Sequence, residues 1–176
     1  LLARIATGDY DAVIVGHSSL GFIETPAEDV ELVVQEKMDQ LRSALDEARA
    51  NGESKRSLTQ IRNRIEKYEE RLEALRERTV DEIGVTLADM GVDYLATDEA
   101  QEFKNLEYAT GGERVVGMND PIGSKKAFDL YVKMRGLQAR GGGTAFATGP
   151  PVSNSLVELF TVKDYHPHDE LVKRGQ

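Results

Sequence analysis

The chain has 176 residues, no Cys, 40% hydrophobic and 30% charged residues, and a formal net charge of −9. This length can bury a hydrophobic core, and the missing Cys excludes a disulfide framework and a thiolate metal site. The acidic balance argues at first against nucleic-acid binding, which needs clustered Lys and Arg for phosphate contacts. No stretch approaches the roughly 20 apolar residues that span a bilayer, so we expect a cytoplasmic protein without a membrane partner.

The first predicted element is a buried strand over residues 9–16. Its apolar run, Ala12 to Val15, is bounded by polar residues and by Gly16, a pattern typical of a strand inside a sheet. His17 and Ser18 follow directly. Polar side chains at such a strand end can face a ligand in an open α/β sheet.

The composition then changes to Glu, Lys, Arg, Gln, Ala and Leu, which predicts a helical hairpin over residues 27–80. Apolar residues at heptad spacing on both arms predict an antiparallel coiled coil, joined by a loop over 51–56. These seam positions are Val34, Met38, Leu41, Leu45 and Ala48 in the first arm and Leu58, Ile61, Ile65, Tyr68, Leu72 and Leu75 in the second. Ser57 is the predicted N-cap of the second arm.

Strands and helices alternate in the rest of the chain, which predicts an α/β fold with a mainly parallel sheet. A short helix-like piece around residues 86–90 ends at Gly91, and a strand over 92–97 follows. The remaining predicted elements are a loop over 108–123, an amphipathic helix over 124–138, a strand over 144–148 and a helix over 155–162.

Asp98 and Glu99 directly follow the predicted strand 92–97. A carboxylate at a strand end can hold a magnesium ion through water, and its neighbour can polarise the water that attacks a γ-phosphate. Acidic pairs are also common in solvated turns. The pair by itself therefore leaves two readings open, a structural turn and a catalytic metal site.

Three motifs resemble those of the superfamily II helicases. The box Asp98-Glu-Ala-Gln101 resembles their DEAH-type box, the segment 147–160 is similar to their third motif, and the segment 10–20 resembles the strand and turn that precede the box. The resemblance is specifically to the Swi/Snf-like ATPases. It is closer still to the large helicase proteins of phages and mobile elements, which often carry an adenine-DNA methylase domain and a coiled-coil insertion before the box.

The resemblance implies that residues 1–176 are part of the first RecA-like lobe of a DNA-dependent ATPase, interrupted by the hairpin at 27–80. It implies that Asp98 positions Mg²⁺ through water and that Glu99 is the catalytic carboxylate beside the metal. ATP and Mg²⁺ are then the expected cofactors of the whole protein. The expected partners are DNA, as a duplex bound without sequence preference, and a second RecA-like lobe, with a further protein partner at the hairpin. The source would be bacterial or phage-encoded.

The resemblance also implies residues that couple hydrolysis to DNA contact. Gln101 stands where His is commoner, and Pro150 replaces the usual Thr, which removes a hydroxyl. The full coupling set is Gln101, Thr148, Gly149 and Pro150, and the DNA-contact candidates are His17, Ser18, Lys104, Lys125, Lys126, Lys133 and Arg135. All five Lys and Arg candidates lie in the net-basic segment 104–143, where seven basic residues against four acidic residues give +3.

The chain contains no G-x-x-x-x-G-K-[ST] phosphate-binding loop and does not begin with Met. We therefore expect a fragment that neither binds ATP tightly nor hydrolyses it in isolation. Two alternatives stay open. One is a non-catalytic interaction module in which the hairpin docks a partner on a degenerate lobe, and the other is a metal-dependent phosphatase or nuclease that uses Asp98 and Glu99.

Overall fold

The computed structural model describes residues 2–76, 84–103, 106, 124–149 and 165. These residues belong to two compact units. We call residues 27–76 the hairpin unit and the other described residues the α/β unit. In chain order the elements are α1 (Leu2–Thr7), α2 (His17–Leu20), α3 (Ala27–Ala50), α4 (Lys55–Arg76), β1 (Tyr94–Thr97), the 3-10 turn η1 (Ala100–Phe103), α5 (Lys125–Ala139) and β2 (Gly143–Phe146).

The hairpin unit consists of α3 and α4, which pack against each other and are joined by residues 51–54. All five predicted seam positions of the first arm are buried. In the second arm Ile61 and Tyr68 are buried, while the other four seam residues are half-buried. The heptad periodicity thus identified the contact face of both helices. The supercoiled geometry of a coiled coil stays a prediction.

The start of α4 differs from the prediction. The helix begins at Lys55, and the Ser54 Oγ accepts a hydrogen bond from the Ser57 backbone N–H at 3.1 Å. The predicted N-cap at Ser57 is therefore wrong, and Ser54 caps the helix. Lys55 and Arg56 are good helix formers, so the helix extends back through them to Ser54. The Ser54 hydroxyl can accept a hydrogen bond from the backbone N–H of Ser57, the third residue of the helix.

In the α/β unit, β1 and β2 form a two-stranded parallel sheet, with Tyr94 opposite Gly143 and Thr97 opposite Phe146. The strands predicted over 92–97 and 144–148 are confirmed over four residues each. α5 lies between them in sequence, as in a β-α-β unit, because parallel strands need a long crossover. The described residues are therefore a mixture of helices with a small parallel sheet, consistent with an α/β fold.

The predicted helix over 124–138 is confirmed as α5. Its N-cap is Ser124, whose Oγ accepts from the Ala127 backbone N–H at 3.1 Å. The predicted apolar face is buried, and so are Phe128, Val132 and Lys133 on other sides. The expectation of an amphipathic helix was thus wrong, because α5 is covered nearly all round as a central helix.

Residues 9–16 do not form a strand. Tyr10 and Val13 are exposed, and Ile14 has 99% of its surface accessible. A strand needs a neighbour for its backbone hydrogen bonds, and no other strand pairs with this segment in the described part of the chain. The predicted buried strand is wrong for this reason, although the apolar run itself is real.

The segments before and after the hairpin lie side by side. The Glu24 backbone N–H donates to the Val85 carbonyl at 3.0 Å, and Glu24 and Thr86 form an isolated parallel bridge. The predicted helix-like piece is a single turn, which Gly91 closes with a φ of +68°. Hydrogen bonds from the Thr86 hydroxyl and backbone N–H to the carboxylate lower the pKa of Asp89.

Several predictions lie outside the described residues: the loop over 108–123, the helix over 155–162, Lys104 and Pro150. None of the helices within the described ranges combines the length and the apolar character needed to cross a bilayer.

Candidate active site

The chain bulges outward where β1 ends. The Ala147 N–H donates to the Thr97 carbonyl at 2.9 Å, and the Ala100 N–H donates to the Ala147 carbonyl at 3.0 Å. In a regular parallel ladder the second bond would come from residue 99. Asp98 and Glu99 thus oppose the single residue Ala147, which defines a β-bulge, and both acidic side chains are exposed. We call residues 98–99 the acidic bulge.

Glu99 has a left-handed backbone, with a φ of +51°. For a residue with a Cβ this conformation costs about 1–2 kcal/mol. Local hydrogen bonds hold it: the Glu99 N–H donates to the Asp98 Oδ1 at 2.9 Å, and the Glu102 N–H donates to the Glu99 carbonyl at 2.9 Å. Residues in sparsely populated backbone regions cluster at active sites, so the strained position coincides with the predicted catalytic carboxylate.

Gln101 connects Glu99 to the end of β2. Its Nε2 donates to the Glu99 Oε2, and its Oε1 accepts from the Thr148 hydroxyl at 2.6 Å. A carboxylate only accepts hydrogen bonds, so the amide nitrogen must face Glu99 and the amide oxygen must face Thr148. Two of the predicted coupling residues, Gln101 and Thr148, therefore bind each other, and Gln101 also binds the predicted catalytic carboxylate. Gly149 follows Thr148 and is exposed.

His17 contacts the acidic bulge from α2. Its Nε2 lies 3.0 Å from the Asp98 carbonyl oxygen. Because that oxygen can only accept, Nε2 carries the proton. The imidazole packs edge-on against the buried Phe103 ring, with 4.9 Å between the ring centroids. The predicted site residue His17 therefore lies beside the acidic bulge, and its neighbour Ser18 is exposed.

Tyr165 supports the site from within the core, and sequence reasoning missed it. The buried hydroxyl lies 3.1 Å from the Phe103 carbonyl and 3.0 Å from the Ala127 carbonyl, so one O–H is shared between η1 and α5. Its ring packs edge-on against Tyr131 and Phe146. No local motif marks this tyrosine, because its partners lie on distant parts of the chain.

The predicted basic surface is smaller in the structure. Lys125 is exposed, and the Lys126 side chain is partly exposed, with its Nζ 3.5 Å from the Glu102 carboxylate and 4.5 Å from the Phe103 ring centroid. Arg135 is half-buried. Among the predicted basic contacts in the described part of the chain, Lys125 and Lys126 are therefore the two that are exposed to solvent.

Lys133 is not available to DNA, so this part of the prediction was wrong. Its side chain is 1% exposed, and its Nζ lies 2.5 Å from the Asp129 Oδ1. The same carboxylate oxygen accepts from the Thr25 hydroxyl at 3.1 Å. A buried ammonium needs such a partner, and Asp129 one helical turn earlier supplies it.

Asp98 and Glu99 place two exposed carboxylates in the acidic bulge. No group of three or more His, Asp and Glu side chains is arranged to hold a metal within the described ranges. The Asp98 Oδ2 accepts no hydrogen bond from that part of the chain. Mg²⁺ usually keeps several waters and takes one or two carboxylates plus phosphate oxygens, so Asp98 and Glu99 fit this ion.

Residues 1–175 match the family described as a probable helicase domain. No curated protein and no solved structure matches the chain. The family match extends over both units and over every residue of the site described above, and so the chain belongs to the probable helicase domain family.

Proposed function

We propose that the acidic bulge hydrolyses ATP in a superfamily II, DEAH-type helicase of the Swi/Snf-like and phage-type group. The family match supports a helicase-related function in general. The finer assignment is carried by one observation, the hydrogen-bond chain from Glu99 through Gln101 to Thr148. A solvated acidic turn has no need of such a link to the end of the neighbouring strand.

In this proposal each residue of the acidic bulge has its own role. Asp98 would hold Mg²⁺, and Glu99 would accept a proton from the water that attacks the γ-phosphate. The metal would neutralise charge that develops on the phosphate oxygens. His17 fixes the backbone at Asp98, and the Nε2 of Gln101 fixes the orientation of the Glu99 carboxylate.

The same contacts suggest how hydrolysis and DNA contact are coupled. Thr148 lies in the segment 147–160 that resembles the third helicase motif, and a shift of this segment would move the amide that orients Glu99. The β-α-β arrangement of the α/β unit supports its assignment as part of a RecA-like lobe. ATP, Mg²⁺, DNA and a second RecA-like lobe are the ligands and partners that this proposal requires in the whole protein.

The test is Glu99→Gln in the full-length protein. Because an amide cannot accept the proton, we expect DNA-stimulated ATP hydrolysis to fall at least about 100-fold. ATP binding, measured by calorimetry, should stay within about twofold of the unmodified protein. Glu102→Gln is the matched control, since Glu102 is also exposed and lies on the same turn. Full hydrolysis in Glu99→Gln would rule out the proposed role of Glu99.

A further inference from the structure

The charges of the hairpin unit are unevenly distributed along its length. The distal half, residues 41–64 around the connecting loop, has six basic and three acidic residues, a net charge of +3. The proximal half, residues 27–40 with 65–76, has four basic and nine acidic residues, a net charge of −5. The end of the hairpin is therefore basic in a chain that is acidic as a whole.

Part of the basic charge in the distal half is neutralised by neighbours. The Arg42 guanidinium lies 3.4 Å from the Asp39 carboxylate and 3.6 Å from the Glu69 carboxylate. The Arg49 guanidinium lies 2.9 Å from the Asp46 carboxylate, one turn before it. These arginines act within the hairpin, although such exposed pairs contribute little stability.

Three further basic side chains in the distal half of the hairpin unit are not compensated in this way. Lys55, Arg56 and Arg62 are exposed, and they make no ion pair with any residue in the described ranges. Lys55 and Arg62 are seven residues apart and so lie on the same flank of α4, roughly 10 Å apart along its axis. We call these three residues the tip cluster.

The positive charges of Lys55 and Arg56 do not stabilise the start of α4. Lys55 and Arg56 occupy the first two positions of α4, where the partial positive charge of the helix N-terminus disfavours cations. The first turn of α4 contains no acidic residue that would offset them. Side chains that break a local rule without local compensation are expected at functional sites.

We propose that the tip cluster binds the phosphate backbone of DNA. The choice of DNA as the polyanion rests on the proposed function, while the preference for an anionic partner follows from the charges. Long, exposed cationic side chains without fixed partners suit contacts to phosphate, which position a protein on DNA without reading its sequence. The tip cluster thus adds a DNA contact on the hairpin unit, separate from the residues of the acidic bulge.

The test measures DNA binding by the 176-residue chain without ATP. Fluorescence anisotropy with a labelled duplex of about 30 base pairs is recorded between about 50 and 200 mM salt. We expect Lys55→Glu combined with Arg56→Glu to weaken binding about tenfold or more at the low salt concentration. The slope of log affinity against log salt should become shallower by about 1.8, since each phosphate contact contributes about 0.9.

Matched variants separate a local contact from an effect of net charge. Lys67→Glu changes the charge as much as Arg56→Glu and lies on the same helix, but in the acidic proximal half, and it should leave affinity within about twofold. Glu53→Lys, in the loop beside the tip cluster, should strengthen DNA binding. Because Glu53 lies outside α4, this variant still tests the proposal if Lys55→Glu and Arg56→Glu unfold the helix. Circular dichroism reports the helix content of each variant.

Three outcomes would overturn the proposal. The first is absence of DNA binding at low salt, and the second is equal weakening of binding by Lys67→Glu and Arg56→Glu. The third is equally tight binding of a polyglutamate peptide, which would assign the tip cluster to an acidic protein partner. The anisotropy assay contains no ATP, so its outcome does not depend on the proposed catalytic role of Glu99. Failure of the tip cluster and failure of the proposed catalytic role are therefore distinguishable.

Discussion

Glu99 combines an exposed carboxylate with a left-handed backbone. The sequence predicts the first property, because an acidic pair follows an apolar strand. It does not predict the second, since a left-handed position is normally indicated by Gly or Asn. The conformation follows instead from the β-bulge, in which two residues oppose the single residue Ala147.

A stability comparison at residue 99 tests this conformation independently of function. Glu99→Gly should be more stable than Glu99→Ala by about 1 kcal/mol, because only the alanine has a Cβ that crowds the backbone at positive φ. Urea unfolding of the chain measures the difference. At Glu102, in η1, the order should be the usual one, with alanine more stable. Alanine more stable at both positions would contradict the left-handed conformation.

Other site residues show where sequence reasoning succeeds and where it stops. Gln101 and Thr148 were predicted from two separate motifs, and the structure brings them together. Lys133 was predicted as a phosphate contact because it lies in a net-basic segment, but segment charge does not reveal burial against Asp129. Tyr165 could not be found, because its role depends on tertiary contacts with residues far away in sequence.

At the scale of single elements, α2 depends on its neighbours for its position. It has four residues, far below the roughly 12–15 at which an isolated helix becomes even marginally stable in water. Leu20 is buried at its end, and His17 binds the acidic bulge at its start. The histidine contact therefore links this short helix to the candidate active site.

Removing the His17 side chain should destabilise α2 and change the environment of the acidic bulge. We expect His17→Ala to reduce the free energy of unfolding by about 1–2 kcal/mol, through the lost hydrogen bond and the lost ring contact with Phe103. Amide NMR resonances of residues 98–103 should shift. His17→Gln, whose amide can also donate, should recover part of the stability, and Ser18→Ala is an exposed neighbouring control. Unchanged stability and spectra in His17→Ala would show that the contact has no structural role.

The elements also differ in how well their patterns predicted them. The 3.6-residue periodicity of α3, α4 and α5 is carried within each segment, so all three helices were predicted within a few residues of their observed bounds. A strand depends on a partner elsewhere in the chain. The apolar run at 12–15 satisfied the local pattern, yet Ile14 is exposed, because pairing is not encoded in the run itself.

At the scale of the whole molecule, the hairpin unit is an insertion into the sequence of the α/β unit, and the residues that flank it lie next to each other. The Glu24 to Val85 hydrogen bond marks those points. This arrangement is typical of insertions that a fold can tolerate, because the ends of the inserted segment are already close together.

Deletion of residues 28–80, bridged by a short Gly-Ser linker, should therefore leave the α/β unit folded. We expect a cooperative thermal transition in the shortened chain and retained ATP hydrolysis in the full-length protein that carries the deletion. If the chain were instead a docking module on a degenerate lobe, the deletion would remove partner binding, with no hydrolysis to lose. An unfolded deletion variant would show that the hairpin is part of the core.

The Glu24 to Val85 hydrogen bond also bears on the order of folding. Closing a flexible loop of about 60 residues costs about 1.6 kcal/mol more in chain entropy than closing one of about 10 residues. A helical hairpin brings its two ends together as it forms, and its contacts are local in sequence, so it can form early. Once α3 and α4 have paired, Glu24 and Val85 meet across a short effective loop. Early pairing of α3 and α4 would thus offset the entropy cost that about 60 intervening residues impose on the contact between Glu24 and Val85.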